Sequence, residues 1–250
     1  MATNPAFQHL NDRETFTKFI LEGQPEPPRY FAIMKQWNKQ PRPLLTKNYN
    51  IPALSAAEVE KALKKNVLII DTRKKDEVAQ GFIPGSLHIE GNKSFSTFVG
   101  SLVDYNQPII LITGKNQVED LARKLMRIGM DHIYGYVENL YNFKGLKTSK
   151  IIQAEEVQVY LKQSNVQLID VRTASEFESG HIKGFENIPL NKLEQESSKI
   201  RKDIPVIIHC QSGVRSAMAY SILERLGYSN ILNYSGSINE WKTKNLPLVQ

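Results

Sequence analysis

The chain has 250 residues, 41% hydrophobic and 23% charged, a balance that excludes disordered and fibrous classes and leaves room for two domains. Its single cysteine excludes an intramolecular disulfide scaffold and favours a reducing, cytoplasmic setting; no apolar run reaches the roughly 18 to 20 residues of a membrane span, and Met1 to Phe7 lacks the pattern of a secretory signal. The net charge of +6 is spread thinly, with 7 basic against 4 acidic residues in 1–50, 13 against 11 in 51–148 and 12 against 11 in 149–250. The short cluster Arg73-Lys74-Lys75 is too small to make a nucleic-acid surface.

In chain order, Phe16, Phe19 and Ile20 share one helical face, Pro25, Pro27 and Pro28 interrupt it, and Tyr30, Ile33, Met34 and Trp37 mark a second amphipathic helix. Such faces need cover, from the following domain or from a partner outside the chain. Pro41 and Pro43 make the stretch up to Asn48 a linker, so residues 1–50 read as a helical arm and linker.

From there the chain repeats itself. Val67-Leu68-Ile69-Ile70 leads into Asp71-Thr72-Arg73, Glu77, Gly81, Ile83 and Gly85; 99 residues on, Val166-Gln167-Leu168-Ile169 leads into Asp170-Val171-Arg172, Glu176, Gly180, Ile182 and Gly184. Likewise Pro108 to Ile112 precedes a helical pattern ending near Gly129, and Pro205 to His209 one ending near Gly227. Residues 51–148 and 149–250 are therefore expected to be homologous domains. Ser55 with Glu58 forms a capping box for a helix towards Lys65, Gln153 to Leu161 is its counterpart, and Gly227 suits the residue after a helix over Ser216 to Leu226. Short apolar runs alternating with helices predict an α/β fold with parallel sheets covered on both faces.

Cys210 directly follows the apolar strand Val206 to His209 and precedes Gln211-Ser212-Gly213-Val214-Arg215. A loop from a strand's C-terminal end into a helix aims backbone N–H groups at one centre, and the helix dipole adds partial positive charge there. Loop amides and Arg215 then favour a thiolate, and Gly213 permits the tight turn. An inert, buried thiol is the alternative, but a polar, Gly-containing loop ending in Arg is an unusual setting for one. Arg215 suits either attraction of an anionic donor or pairing with a carboxylate that fixes the loop. Ser212 suits either donation to a sulfur anion or helix capping. Asp170 and Arg172 read as a buried structural pair, and His181 and His209 as turn and packing residues.

The loop Cys210 to Arg215, together with Asp170-Val171-Arg172, Glu176, Gly180, His181, Ile182, Gly184, Gly236 and Trp241, resembles the signatures of rhodaneses, sulfurtransferases that carry sulfur as a cysteine persulfide. The resemblance covers both domains and implies two tandem parallel five-stranded α/β units, Cys210 as the catalytic nucleophile, and Gln211, Ser212, Gly213, Val214 and Arg215 as the substrate-binding loop. Four residues separate Cys210 from Arg215, whereas related phosphatases use five, so the cradle suits a single sulfur better than a phosphate. Small sulfur anions such as thiosulfate and sulfite, and low-molecular-weight thiol persulfides, are the implied substrates, with no cofactor beyond the covalent persulfide. The first domain reads Ile112-Thr113-Gly114-Lys115-Asn116-Gln117 at the equivalent loop, without the cysteine, and resembles an inactive copy.

Phe19 to Phe31 resembles the stretch that follows the metallo-β-lactamase-fold domain in bacterial persulfide dioxygenase–rhodanese fusions. That resemblance implies a dioxygenase domain as partner and a role in sulfide and persulfide detoxification. Iron would belong to that domain alone, since His9, His88, His132, His181 and His209 are scattered and form no metal set in the sequence. A non-catalytic interaction module within such a fusion is the competing reading. Homo-oligomerisation is left open, and neither nucleic acid nor membrane is expected as a partner.

Overall fold

A computed structural model of the chain describes residues 5–9, 11–22, 27–41 and 50–250. The Pro25 break and the expected linker beyond Pro41 fall largely on residues 23–26 and 42–49, outside the described residues. Two helices come first, α1 (Arg13–Leu21) and α2 (Arg29–Trp37). The first domain then runs α3 (Ala56–Leu63), β1 (Leu68–Asp71), α4 (Lys75–Gln80), β2 (Leu87–His88), α5 (Phe95–Leu102), β3 (Ile109–Ile112), α6 (Val118–Arg127) and β4 (Ile133–Val137). The second follows with β5 (Ile151–Ile152), α7 (Ala154–Tyr160), β6 (Gln167–Asp170), α8 (Ala174–Glu178), β7 (Glu186–Asn187), β8 (Val206–His209), α9 (Val214–Arg225), β9 (Ile231–Tyr234) and α10 (Ser237–Thr243).

Every pairing between these strands is parallel, in the orders β2-β1-β3-β4 and β5-β9-β8-β6-β7. The second sheet has the five strands expected of it; the first has four. In the fifth place a single bridge joins Ala53 to Tyr136, with Leu54 N–H donating to the Tyr136 carbonyl at 2.8 Å and Tyr136 N–H donating to the Pro52 carbonyl at 2.9 Å. Pro52 has no N–H to extend the ladder, and the helix cap at Ser55 ends the extended chain two residues after the bridge. That cap is the expected box: Ser55 N–H donates to Glu58 Oε2 at 2.8 Å, and Glu58 N–H donates to Ser55 Oγ at 3.4 Å.

The two amphipathic helices differ in their cover. Tyr30 lies against Gly100 of α5, where an added Cβ would come within 2.5 Å of the ring, and Trp37 packs edge-on to Tyr105 at 5.2 Å between ring centres. Helix α2 therefore docks on the first domain. Helix α1 buries none of its residues, and Phe19, Ile20 and Leu21 stand exposed.

The two domains share one apolar core, which runs from Leu68 and Ile70 through Met218 and Leu223 to Ile231. Helix α9 lies along the seam. Its Tyr220 meets Phe82 edge-on at 6.2 Å, its Ser221 Oγ accepts the buried His88 N–H at 3.0 Å, and its Glu224 accepts from Gly85 N–H at 2.9 Å and Lys147 Nζ at 2.6 Å. Removing the Ser221 acceptor leaves a buried amide unpaired, at a cost of about 1–3 kcal/mol. Ser221→Ala is therefore expected to lower unfolding free energy by that amount in urea titration; an unchanged midpoint would show that the seam gains nothing from this bond.

Candidate active site

Strand β8 sits between β9 and β6 and ends at His209, so the next residue, Cys210, sits at the C-terminal edge of the sheet, with its side chain buried. Gly213, at φ +88°, reverses the chain into α9. A Cβ at Gly213 would lie 2.2 Å from the Ser235 carbonyl, so both conformation and space require glycine. The turn brings Gly213 N–H to 3.2 Å from Cys210 Sγ, a donor aimed at sulfur from the head of a helix. The first turn of α9 carries no acidic residue, so its dipole is left to act on the loop.

The loop is anchored from α10. Ile238 N–H donates to the Cys210 carbonyl at 3.2 Å, Asn239 N–H to the Gln211 carbonyl at 3.0 Å, and Gln211 Nε2 to Asn239 Oδ1 at 2.6 Å. Ser237 Oγ accepts Cys210 N–H at 3.1 Å and lies 3.9 Å from the sulfur. Ser237 is fully buried at φ +56°, an unfavourable backbone conformation for serine that the surrounding contacts hold in place. Ser212 is exposed at the loop tip, and half-buried Val214 opens α9.

Of the two roles open to Arg215, the geometry shows the carboxylate pair. Its Nη1 and Nη2 each donate at 2.6 Å to Glu176, which also accepts the Thr173 N–H at 3.0 Å as the cap of α8. The Arg215 guanidinium, opposed in part by burial, holds the Glu176 carboxyl down at about 2. Asp170 and Arg172 are both buried and paired, Arg172 Nη2 lying 2.7 Å from Asp170 Oδ2 and 2.9 Å from the Gly180 carbonyl. They tie the end of β6 to the turn after α8. His209 is fully buried, edge-on to Phe185 at 4.4 Å, with Nδ1 3.0 Å from the Cys210 carbonyl. Burial pushes it down to about 4 despite the Asp170 carboxylate nearby, so the imidazole is neutral at pH 7. His181 stacks on Phe177 at 3.7 Å.

The first domain repeats the frame without the cysteine. Arg73 pairs with Asp71 at 2.6 Å and donates to the Gly81 carbonyl at 2.7 Å, matching Arg172, Asp170 and Gly180. Thr113 occupies the place of Cys210, a 3-10 turn over Lys115–Gln117 precedes α6, and α6 carries Glu119 and Asp120 in its own first turn. Those carboxylates neutralise the helix end that α9 leaves open. A cavity of about 950 Å³ lies over this loop, bordered by Arg73, Glu77, Glu90, Thr113 and Glu138; its size marks an open cleft with mixed charge rather than a cradle for one sulfur. Among the described residues, no cluster of three or more His, Cys, Asp or Glu side chains is placed to hold a metal, and no helix is long and apolar enough to cross a membrane.

Two parallel α/β domains, one with a cysteine held against a helix head and one without, define a duplicated rhodanese-type architecture. The chain belongs to the rhodanese-like domain family, whose model matches residues 55–145 and 153–244. The Bacillus subtilis protein YqhL is 39% identical over 112 residues, 45% of this chain and 85% of its own length. A protein named sulfurtransferase from Allochromatium vinosum is 38% identical over 85 residues, 34% of this chain and 79% of its own. A crystal structure titled metallo-beta-lactamase from Staphylococcus aureus shares 31% identity at a TM-score of 0.44, covering 52% of this chain and 35% of that one.

Sequence reasoning missed Glu176 as the partner of Arg215, and Ser235 and Ser237 as walls of the loop. Glu176 was visible as a signature residue, but its pairing spans 39 positions and carries no local pattern.

Two outcomes test this geometry. Gly213→Ala is expected to disable the loop and destabilise the fold by about 2–4 kcal/mol, from the positive φ and the clash with Ser235; normal thermal stability in the variant would contradict the fit. The Glu176 carboxylate titrates near 4.5 when unfolded and near 2 when folded, so its stabilisation is complete above pH 4.5 and lost as pH falls towards 2. With the side chain one-third exposed, Glu176→Gln should lower stability by about 1–2 kcal/mol at pH 7, and the gap to the parent should close across that acid window. A gap independent of pH would assign the effect to packing.

Proposed function

We propose that the chain is a rhodanese-type sulfurtransferase whose second domain carries sulfane sulfur on Cys210. The observation that carries the reading is the Gly213 N–H aimed at Cys210 Sγ from the head of α9, 3.2 Å away. The Cys210 thiolate attacks the outer sulfur of thiosulfate; the new Sγ–S bond forms as the thiosulfate S–S bond breaks, and sulfite leaves with the bonding pair. An acceptor thiolate then attacks the terminal sulfur, forming its own S–S bond and returning the pair to Cys210. Loop amides stabilise negative charge at sulfur in both steps. Neutral His209 faces the Cys210 carbonyl through Nδ1, so it supports the strand end and leaves proton transfer to solvent and substrate thiols.

The substrates we assign are thiosulfate, sulfite and low-molecular-weight thiol persulfides, and the setting is sulfide and persulfide detoxification in the cytoplasm. Two observations support a place beside a persulfide dioxygenase domain of metallo-β-lactamase fold. The sequence from Phe19 to Phe31 resembles the segment that follows such domains, and Phe19, Ile20 and Leu21 of α1 are exposed. In that arrangement the residues 1–50 form the connecting arm, 51–148 the Cys-less domain and 149–250 the catalytic one.

Intact-protein mass spectrometry after brief exposure to thiosulfate or glutathione persulfide tests the covalent step. The parent should gain one sulfur atom, removable by cyanide or sulfite, and Cys210→Ser should gain none. No gain with any donor would leave the chain as an interaction module.

A further inference from the structure

The anion-attracting charge of the Cys210 loop has to come from somewhere other than Arg215. Its Nη1 and Nη2 each donate to Glu176 at 2.6 Å, so the pair is close to neutral as seen by an approaching anion. A second cation does reach the loop, and it comes from the other domain. Lys75, the first residue of α4, extends across the seam and donates from Nζ to Ser235 Oγ at 2.8 Å. The same ammonium lies against Gly213: a Cβ built there would be 3.1 Å from Lys75 Nζ and 2.9 Å from Ser235 Oγ.

The groups around Lys75 leave its charge only partly balanced. Asp76 Oδ1 is 3.4 Å from Nζ, but its side chain is 80% exposed and the contact is long, so solvent screens it. Glu90 Oε1 accepts the Lys75 backbone N–H at 3.0 Å. On α10, Glu240 is engaged by Lys244 at 3.2 Å. The Lys75 side chain itself is 25% exposed, open enough to meet a solute yet held at its tip by Ser235. In the basic cluster Arg73-Lys74-Lys75, Arg73 is committed to Asp71, and Lys75 is the member that reaches the second domain.

We propose that Lys75, supplied by the Cys-less domain, is an anion-positioning residue of the Cys210 site, its ammonium drawing anionic sulfur donors to a loop whose own arginine is neutralised. The proposal rests on the assignment of Cys210 as the sulfur carrier and gives the Cys-less domain a share in that chemistry. A fixed positive charge beside the cradle raises the local concentration of anions such as thiosulfate and has little effect on neutral reagents.

Because Cys210 is the chain's one cysteine, charge selectivity can be read directly from alkylation. The rates with iodoacetate, an anion, and iodoacetamide, its neutral counterpart, are compared at low salt for the parent, Lys75→Met and Lys75→Arg. Lys75→Met should lower the iodoacetate-to-iodoacetamide rate ratio about threefold to tenfold, Lys75→Arg should restore most of it, and added salt should erase the difference. The KM for thiosulfate should rise by a similar factor while kcat changes little. An unchanged ratio in folded Lys75→Met overturns the proposal. If that variant does not fold, Lys75→Gln, which keeps a polar tip and removes the charge, carries the same readout: a lowered ratio supports the proposal and an unchanged one overturns it. The ratio is independent of sulfur transfer, so a parent that never takes up sulfur defeats the carrier assignment without deciding the role of Lys75.

Discussion

Helix α9 is buried along most of its length, and that burial links the chemistry to the domain arrangement. Ser216 and every residue from Met218 to Leu223 are buried, including both polar ones in that run, Tyr220 and Ser221. A helix covered on all sides belongs to two layers at once. Its N-terminal end receives the chain from Gly213 and sets the direction of the amide that faces Cys210 Sγ. Its C-terminal half grips the first domain through Ser221 and Glu224. Interiors packed this densely transmit displacement rather than absorb it, so the position of the cradle is set partly by contacts more than one helical turn away, in the neighbouring domain.

The duplication separates what maintains the fold from what makes the site. The Asp–Arg pair and its glycine carbonyl recur in both domains with nearly the same distances, the aspartate buried in each, so they belong to the architecture whether or not a cysteine is present. What differs lies at the helix head. In the second domain the helix begins four residues after Cys210, through a left-handed glycine, with no carboxylate in its first turn. In the first it begins five residues after Thr113, through a 3-10 turn, and is capped electrostatically by Glu119 and Asp120. Absence of the cysteine is matched by closure of the field that would have served it.

The fold was legible in the sequence because it rests on local patterns repeated about 100 residues apart: short apolar runs, helix starts at the Ser55 capping box and its counterpart at Gln153, and glycines at helix ends. The place of the Cys210 loop was legible for the same reason, since strand, cysteine, glycine and helix are contiguous. The fifth strand of the first sheet was not, because a proline before the bridge and a capping serine two residues after it reduce the strand to one bridge, and the repeat alone does not show where a ladder stops. The two roles weighed for Arg215 could not be separated from its position in the chain. They depend on Glu176, brought in by the packing of α8 against the loop. Lys75 and Ser235 are 160 residues apart and meet only because the two domains share a core.

The use of arginine inside the loop and lysine at its edge follows from the two side chains. A guanidinium is a planar fork that matches a carboxylate with two parallel bonds, and that rigidity suits Arg215 to fixing Glu176 and the turn before α8. The same fork, left free, would hold a dianion at two points and slow the departure of sulfite. A lysine ammonium is a strongly hydrated point charge on a flexible stem, able to attract an anion without clasping it. In the proposed transfer an anionic donor arrives and an anionic product leaves at the same atom, which suits an attraction that is long-ranged and loose. A cation mounted on the Cys-less domain, beside the cradle rather than within it, meets that requirement and leaves the Gly213 amide facing sulfur.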